Sequence, residues 1–172
     1  MSARVLARVT PWQRRFLAFA LVSSVGLAAV GSHVSSNYRI AFDQQAVRCL
    51  PWWSYLVALN VMPERNGLLA FESGSSQPMF PPGTLLVKRL IGVPGDSIEI
   101  QGGEVRLNGT PIAALSQEVL GSLRRSVDEY DARYQLGEGE YFVLGDAPVS
   151  YDSRYWGPVR QTDVVGRARG VL

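Results

Sequence analysis

From Phe16 to Gly31 the chain is almost wholly apolar, and no charged side chain occurs between residues 16 and 38 apart from the titratable His33. A helix rising 1.5 Å per residue needs about 20 residues to cross the roughly 30 Å hydrocarbon core of a bilayer. Arg4, Arg8, Arg14 and Arg15 precede the run without an acidic residue among them. Basic flanks stay on the cytoplasmic side. The expected organisation is a cytoplasmic N-terminus at 1–15, a transmembrane anchor at 16–36, and a domain at 37–172 outside the inner membrane, in the periplasm. Two other readings stay open. A cleaved signal peptide has a shorter apolar core, about 7–15 residues, although the small residues from Ala28 to Ser32 offer a cleavage site. A buried helix of a soluble core passes the same test of composition. Length and flanks favour the anchor. His33 falls at its outer end, an interfacial position with no polar constellation around it.

Composition narrows the chemistry of the remainder. A net charge of +2 over 172 residues argues against a nucleic-acid partner held through phosphates. Of the 17 Lys and Arg residues, only Lys88 is a lysine, and Cys49 and His33 are the sole cysteine and histidine. One cysteine makes no internal disulfide, and there is no Cys/His cluster with metal-ligand spacing, so no metal or cofactor is expected. Arginine does not deprotonate in proteins. A base in this chain must therefore be Lys88, His33 or a carboxylate.

Residues 39–172 read mainly as short strands. Ser54–Leu59, Gly67–Phe71 and Thr84–Ile91 are apolar runs, the last ended by Val93-Pro94-Gly95-Asp96, a turn signal. Ser97–Ile100 alternates, and Glu104–Leu107 is followed by Asn108-Gly109, the sequence of a tight hairpin. Tyr141–Leu144 and Val164–Ala168 complete the set. Many short strands punctuated by Gly and Pro imply an antiparallel β domain. Residues 112–134 differ. Ala113, Ala114, Leu115, Val119, Leu120 and Leu123 have helical spacing, followed by a run of charges, so a small hairpin and helical lobe is expected as an insert at 103–135.

Two segments carry chemistry. The first is Lys88-Arg89-Leu90-Ile91-Gly92-Val93-Pro94-Gly95-Asp96. The second is Gly145-Asp146-Ala147-Pro148-Val149-Ser150-Tyr151-Asp152-Ser153-Arg154-Tyr155-Trp156-Gly157-Pro158-Val159. A lysine on an apolar strand can be stripped of water, which disfavours its charged form and frees a lone pair. Together, in this order and spacing, the segments resemble the lysine box and the Ser-x-Asp-Ser-Arg box of type I signal peptidases, membrane-bound proteases with a Ser/Lys dyad. The resemblance covers about residues 38–169. It implies that Lys88 is the general base, that Ser150 orients it, and that Asp152 and Arg154 form a supporting ion pair.

The segment expected to hold the nucleophile is Arg48-Cys49-Leu50-Pro51-Trp52-Trp53-Ser54-Tyr55. The conjugative-transfer, TraF-type branch of the family has a Ser-x-Pro-x-Gly-x-Tyr pattern. Laid on it without a gap, Cys49 falls on the serine, Pro51 on the proline and Tyr55 on the tyrosine, while Trp53 stands where glycine is usual. Cys49 as a small buried hydrophobe, or Ser54 or Ser36 acting in its place, are the other readings. A thiol is more acidic than an ammonium, so a close Cys/Lys pair in a polar site rests as thiolate and ammonium, whereas burial disfavours both charges.

The resemblance further implies an extended substrate paired as an added strand beside Leu86-Val87 and Gln45-Ala46, with small side chains before the cut. Backbone N–H groups near Cys49 would stabilise the oxyanion. Trp52 and Trp53 fit either a lipid-facing or a core position. The implied partners are membrane lipid, a precursor or pilin substrate, and other proteins of a conjugative transfer system. If the substrate's own amine replaces water, the product is circular. The rival from another class is an inactive scaffold or chaperone of the transfer apparatus, which the missing serine supports and the retained Lys88, Ser150, Asp152 and Arg154 oppose.

Overall fold

The computed structural model describes residues 10–43, 48–74 and 79–172. They belong to two compact units, Met1–Asn37 and Tyr38–Leu172. The first unit holds one helix, α1 (Pro11–Asn37). Its start is set locally. The Thr10 N–H donates to Gln13 Oε1 at 2.8 Å and the Gln13 N–H donates back to Thr10 Oγ1 at 3.3 Å. This is a capping box, and Pro11 at the first helical position loses no hydrogen bond. The helix therefore begins ahead of the apolar run. It has 27 residues with none buried, and is long and apolar enough to cross a membrane.

The second unit is mainly antiparallel β. In chain order it contains β1 (Tyr38–Phe42), β2 (Ser54–Leu59), β3 (Leu68–Glu72), β4 (Leu85–Gly92), β5 (Ser97–Gln101), β6 (Glu104–Leu107), β7 (Thr110–Ala114) and α2 (Gln117–Leu123). A 3-10 turn (Val127–Tyr130), β8 (Ala132–Gln135), β9 (Glu140–Leu144), α3 (Ser153–Trp156), β10 (Val159–Arg160), a 3-10 turn (Gln161–Asp163) and β11 (Val164–Gly170) follow. Seven strands form one sheet in the order β1-β2-β11-β3-β4-β9-β10, and four form another in the order β7-β6-β5-β8. Every pairing is antiparallel.

Three apolar clusters hold these sheets. On one face of the larger sheet, Tyr55, Val57, Leu68, Ala70 and Ala168 pack together with Leu50. On the other, Leu69, Phe71, Leu86, Leu90, Val143 and Val159 form a second core. The smaller sheet supplies Ile98, Ile100 and Val105, which close over Phe142 and Leu144. β9 thus sends Tyr141 and Val143 into one core and Phe142 and Leu144 into another. A strand covered on both faces reads as a continuous apolar run, as Tyr141–Leu144 does.

Residues 103–135 lie in the smaller sheet, with α2 and the first 3-10 turn attached. Their helical spacing translates into helix only from Gln117. Asn108 and Gly109 adopt φ of 50° and 80°, the conformation of a two-residue hairpin turn. That turn folds Thr110–Ala114 back onto β6 as a strand. Of the residues with helical spacing, Val119, Leu120 and Leu123 lie in α2, whereas Ala113 and Ala114 end β7.

Candidate active site

Burial alternates along β4, so the pleat turns Leu86, Lys88 and Leu90 toward the interior. Leu86 and Leu90 join the core. Lys88 sits between them on the same face and is only 2% exposed. Its Nζ donates a hydrogen bond to Ser150 Oγ at 3.0 Å, and Ser150 is wholly buried. Among the described residues Lys88 forms no ion pair. An amine enclosed without a carboxylate partner is the arrangement that general-base chemistry uses.

Ser150 is fixed from below. Its N–H donates to the Ala147 carbonyl at 3.0 Å, and its own carbonyl accepts from Arg154 Nη2 at 2.9 Å. Arg154 pairs with Asp152, both buried, through Nε at 2.8 Å and Nη2 at 2.8 Å. Nη1 reaches the Ala114 carbonyl at 2.7 Å and the Pro148 carbonyl at 3.2 Å. Burial opposes the guanidinium charge, but the hydrogen bonds and charge of Asp152 outweigh it and hold Arg154 above its ordinary value. Asp152 also caps α3 and accepts the Gly145 N–H at 2.9 Å. This buried pair is therefore satisfied on every side, the condition under which such pairs are tolerated.

Cys49 is brought to the same place by backbone bonds. Its carbonyl accepts the N–H of Asp146 at 2.7 Å and of Ala147 at 3.2 Å. Asp146 in turn accepts from Arg89 Nε at 2.7 Å and Nη2 at 2.6 Å. Arg89 follows Lys88 directly, so this bidentate pair ties the Cys49 loop to the lysine strand. Gly145 fills the gap. A Cβ built there would lie 2.2 Å from Ser150 Oγ and 3.0 Å from Cys49 Cβ. Only glycine lets these residues approach so closely.

The result is a groove of about 480 Å³ lined by residues 40–43, Cys49, Tyr55, Phe80 and residues 84–88. Cys49 is 8% exposed. The Tyr55 hydroxyl donates to the Trp52 carbonyl at 2.8 Å. Burial, reinforced by the charges of Asp43, Cys49 and Asp146 against that of Arg48, pushes it up to about 12. It stays neutral at working pH. Among the described residues no group of three or more His, Cys, Asp or Glu could hold a metal ion. The groove offers a thiol and an amine, and behind the amine lies a buried hydroxyl hydrogen-bonded to it, a set of groups that suits acyl transfer.

Residues 16–172 match the family described as Signal peptidase, peptidase S26. The chain belongs to this peptidase family. It is 27% identical to the Plasmid transfer protein TraF of Escherichia coli over 161 residues, 91% of this chain and 85% of that one. It is 32% identical to Signal peptidase I V of Bacillus subtilis (strain 168) over 91 residues, 48% of this chain and 54% of that protein. A crystal structure of a signal peptidase I from Enterococcus faecalis V583, 31% identical, covers 64% of this chain and 96% of its own, with a TM-score of 0.36. The chain spans about half the length of the signal peptidases it matches.

The S26 chain brings Cys49, Lys88 and Ser150 to one place, with Asp152 and Arg154 behind Ser150. Leu86 and Val87 line the groove. Gln45 and Ala46 lie outside the described residues. Ser36 belongs to α1, and Ser54 is buried at the start of β2; the groove is lined by Cys49 instead. The Asp146 and Ala147 amides, near Cys49 as an oxyanion site requires, are both committed to the Cys49 carbonyl. Gly145, Asp146 and Tyr55 are site residues that sequence reasoning left unassigned. Tyr55 had a signal in its place in the Pro-x-Gly-x-Tyr pattern, whereas the packing of Gly145 had none.

Proposed function

We propose that this chain is a single-pass membrane peptidase that cleaves exported precursors with a Cys49–Lys88 dyad. The observation that carries this reading is that the chain's sole thiol and sole lysine amine line one groove, with the buried Ser150 hydroxyl bonded to that amine. Cys49 Sγ attacks the scissile carbonyl as its proton passes to Lys88 Nζ. Nζ then protonates the departing amine, leaving a thioester. Water attacks the thioester, Nζ takes its proton, and that proton returns to the departing thiolate. Ser150 holds Nζ in line throughout, and Asp152 with Arg154 hold Ser150.

The substrate lies as an added strand on β4. Leu90 directs its N–H and carbonyl to the β3 side, bonding Gly67 and Asn66 at 2.9 and 2.7 Å. By antiparallel alternation Lys88 and Leu86 do the same, and Leu85 and Val87 turn theirs the other way. There β9 pairs β4 only from Arg89 onward. Among the described residues no strand pairs with that stretch of edge; it borders the groove and supports extended-peptide binding at Leu86 and Val87.

Arg14 and Arg15 at the start of α1 favour a cytoplasmic N-terminus and a periplasmic peptidase domain. Trp53, 47% exposed, stacks on Phe42 beside Ile40, 67% exposed, and these side chains meet lipid. Trp52 belongs to the core, since a Cβ on Gly170 would fall 2.1 Å from its ring. The similarity to a plasmid transfer protein across most of both chains supports a pilin or related transfer subunit as substrate. Aminolysis of the same thioester by the substrate's own amine, in place of water, gives the circular product.

Purified full-length protein in detergent, incubated with precursor and followed by mass spectrometry, tests the reading. Cleavage by wild type, with loss in Cys49→Ala and Lys88→Met, is expected. A product lighter than the linear cleavage product by one water identifies cyclisation. An unchanged precursor with wild type favours the scaffold reading.

A further inference from the structure

We propose that Tyr155 is a positioning residue that anchors the Ser150–Arg154 segment to the smaller sheet and so fixes the hydroxyl that holds Lys88. The proposal rests on the dyad reading above and extends it to a side chain that does not line the groove.

Four contacts converge on this residue. Its hydroxyl accepts the Ser116 N–H at 2.7 Å, at the junction of β7 and α2. The Arg154 guanidinium carbon lies 5.5 Å from its ring centroid. Tyr151 stacks on it at 5.8 Å and 23°, and Tyr130 meets it edge-on at 5.6 Å and 86°. Tyr151 follows Ser150 in the chain, and Arg154 donates to the Ser150 carbonyl. One ring therefore braces Ser150 both through its neighbour and through the cation that holds its carbonyl.

The bracing is needed because α3 has only four residues. A helix of about one turn is unstable by itself. Its position must come from tertiary contacts, and the Ser116–Tyr155 and Ala114–Arg154 hydrogen bonds attach it to the β7–α2 junction. Small displacements of a catalytic array carry large rate penalties.

The sole cysteine gives a readout that needs no substrate. The rate of Cys49 alkylation by iodoacetamide is measured against pH in the detergent-solubilised full chain. Wild type, Lys88→Met, Ser150→Ala and Tyr155→Leu are compared at equal folded fraction. Tyr155→Leu should move the profile in the direction of Ser150→Ala and lower kcat for cleavage about tenfold, with KM within about twofold. Tyr155→Phe keeps the ring and should recover most of the loss. Ser116→Pro deletes the same hydrogen bond at a φ of −86° that proline accepts. If Tyr155→Leu does not fold, Tyr155→Phe and Ser116→Pro decide: each should shift the profile slightly, and the double variant should match either alone. Profiles of the folded variants that superpose on wild type overturn the proposal and leave the dyad standing. A wild-type profile identical to that of Lys88→Met overturns both.

Discussion

Lys88 Nζ donates to Ser150 Oγ at 3.0 Å, a contact between residues 62 positions apart that are both shut away from water. Deleting the acceptor leaves a buried amine without its partner, at a cost of about 1–3 kcal/mol. Ser150→Ala is expected to lower kcat by about 10²-fold, within the range of general-base contributions, while the domain stays folded. Single-turnover cleavage beside a urea melt checks this. Unaltered kcat would show that the amine is oriented by something else.

Gly145→Ala should be more damaging than its single methyl suggests. The added carbon meets Ser150 Oγ at 2.2 Å and Cys49 Cβ at 3.0 Å, so at least one must move. Overpacking of this kind costs about 1–3 kcal/mol. Activity should fall well beyond what the loss of stability explains. A variant with lowered stability but full specific activity would sink this account.

Arg154 bonds Asp152 and three carbonyls at once. Arg154→Met leaves the Asp152 charge buried and unpaired, and destabilisation of about 3–5 kcal/mol is expected in urea. Arg154→Lys should not rescue it, because one ammonium cannot reproduce a planar fork with five donors. Rescue by lysine would mean that charge alone matters there.

Replacing the thiol by a hydroxyl tests the nucleophile. Cys49→Ser should keep measurable cleavage, since Lys88 and Ser150 are unchanged. It should also lose all inactivation by iodoacetamide, to which the wild type is sensitive. Residual cleavage in Cys49→Ala equal to wild type would remove Cys49 from the mechanism.

Asp96 sets a stability dependence at low pH. Burial by itself raises its carboxyl, but hydrogen bonds from Arg65, the Val93 N–H and Asn108 outweigh that and hold it below its ordinary value of 3.8. A carboxyl depressed in the folded state contributes stability that is present above the unfolded value and is lost as pH falls through the folded one. Thermal midpoints should therefore decline as pH drops below about 4, and Asp96→Asn should be less stable at neutral pH and decline less steeply. Parallel curves for the two proteins would contradict it.

The strands that were legible in the sequence are those with an apolar run and a clear stop. Ser54–Leu59 and Ser97–Gln101 are examples, and so is Leu85–Gly92 with its Pro94-Gly95 turn. Tyr38–Phe42 was hidden because it follows α1 directly, and only its pairing with β2 makes it a strand. Ala132–Gln135 was masked by Arg133 in a charged stretch, and Val159–Arg160 is too short to carry a period. The site divides the same way. Lys88, Ser150, Asp152 and Arg154 were reached through the resemblance of their two segments to the family's boxes. The clearance at Gly145 and the contacts of Tyr155 arise from chain crossings that no local pattern records.

β2 and β3 are neighbours in sequence yet do not pair; β11 lies between them, bonded to both. Cys49 leads into β2, and Lys88 lies on β4, which pairs with β3. Within the larger sheet, β11 thus joins the strand that follows Cys49 to the pair of strands that carries Lys88. Because Val164–Gly170 follows every other strand of that sheet along the chain, the sheet that carries the proposed dyad closes only when this strand is in place.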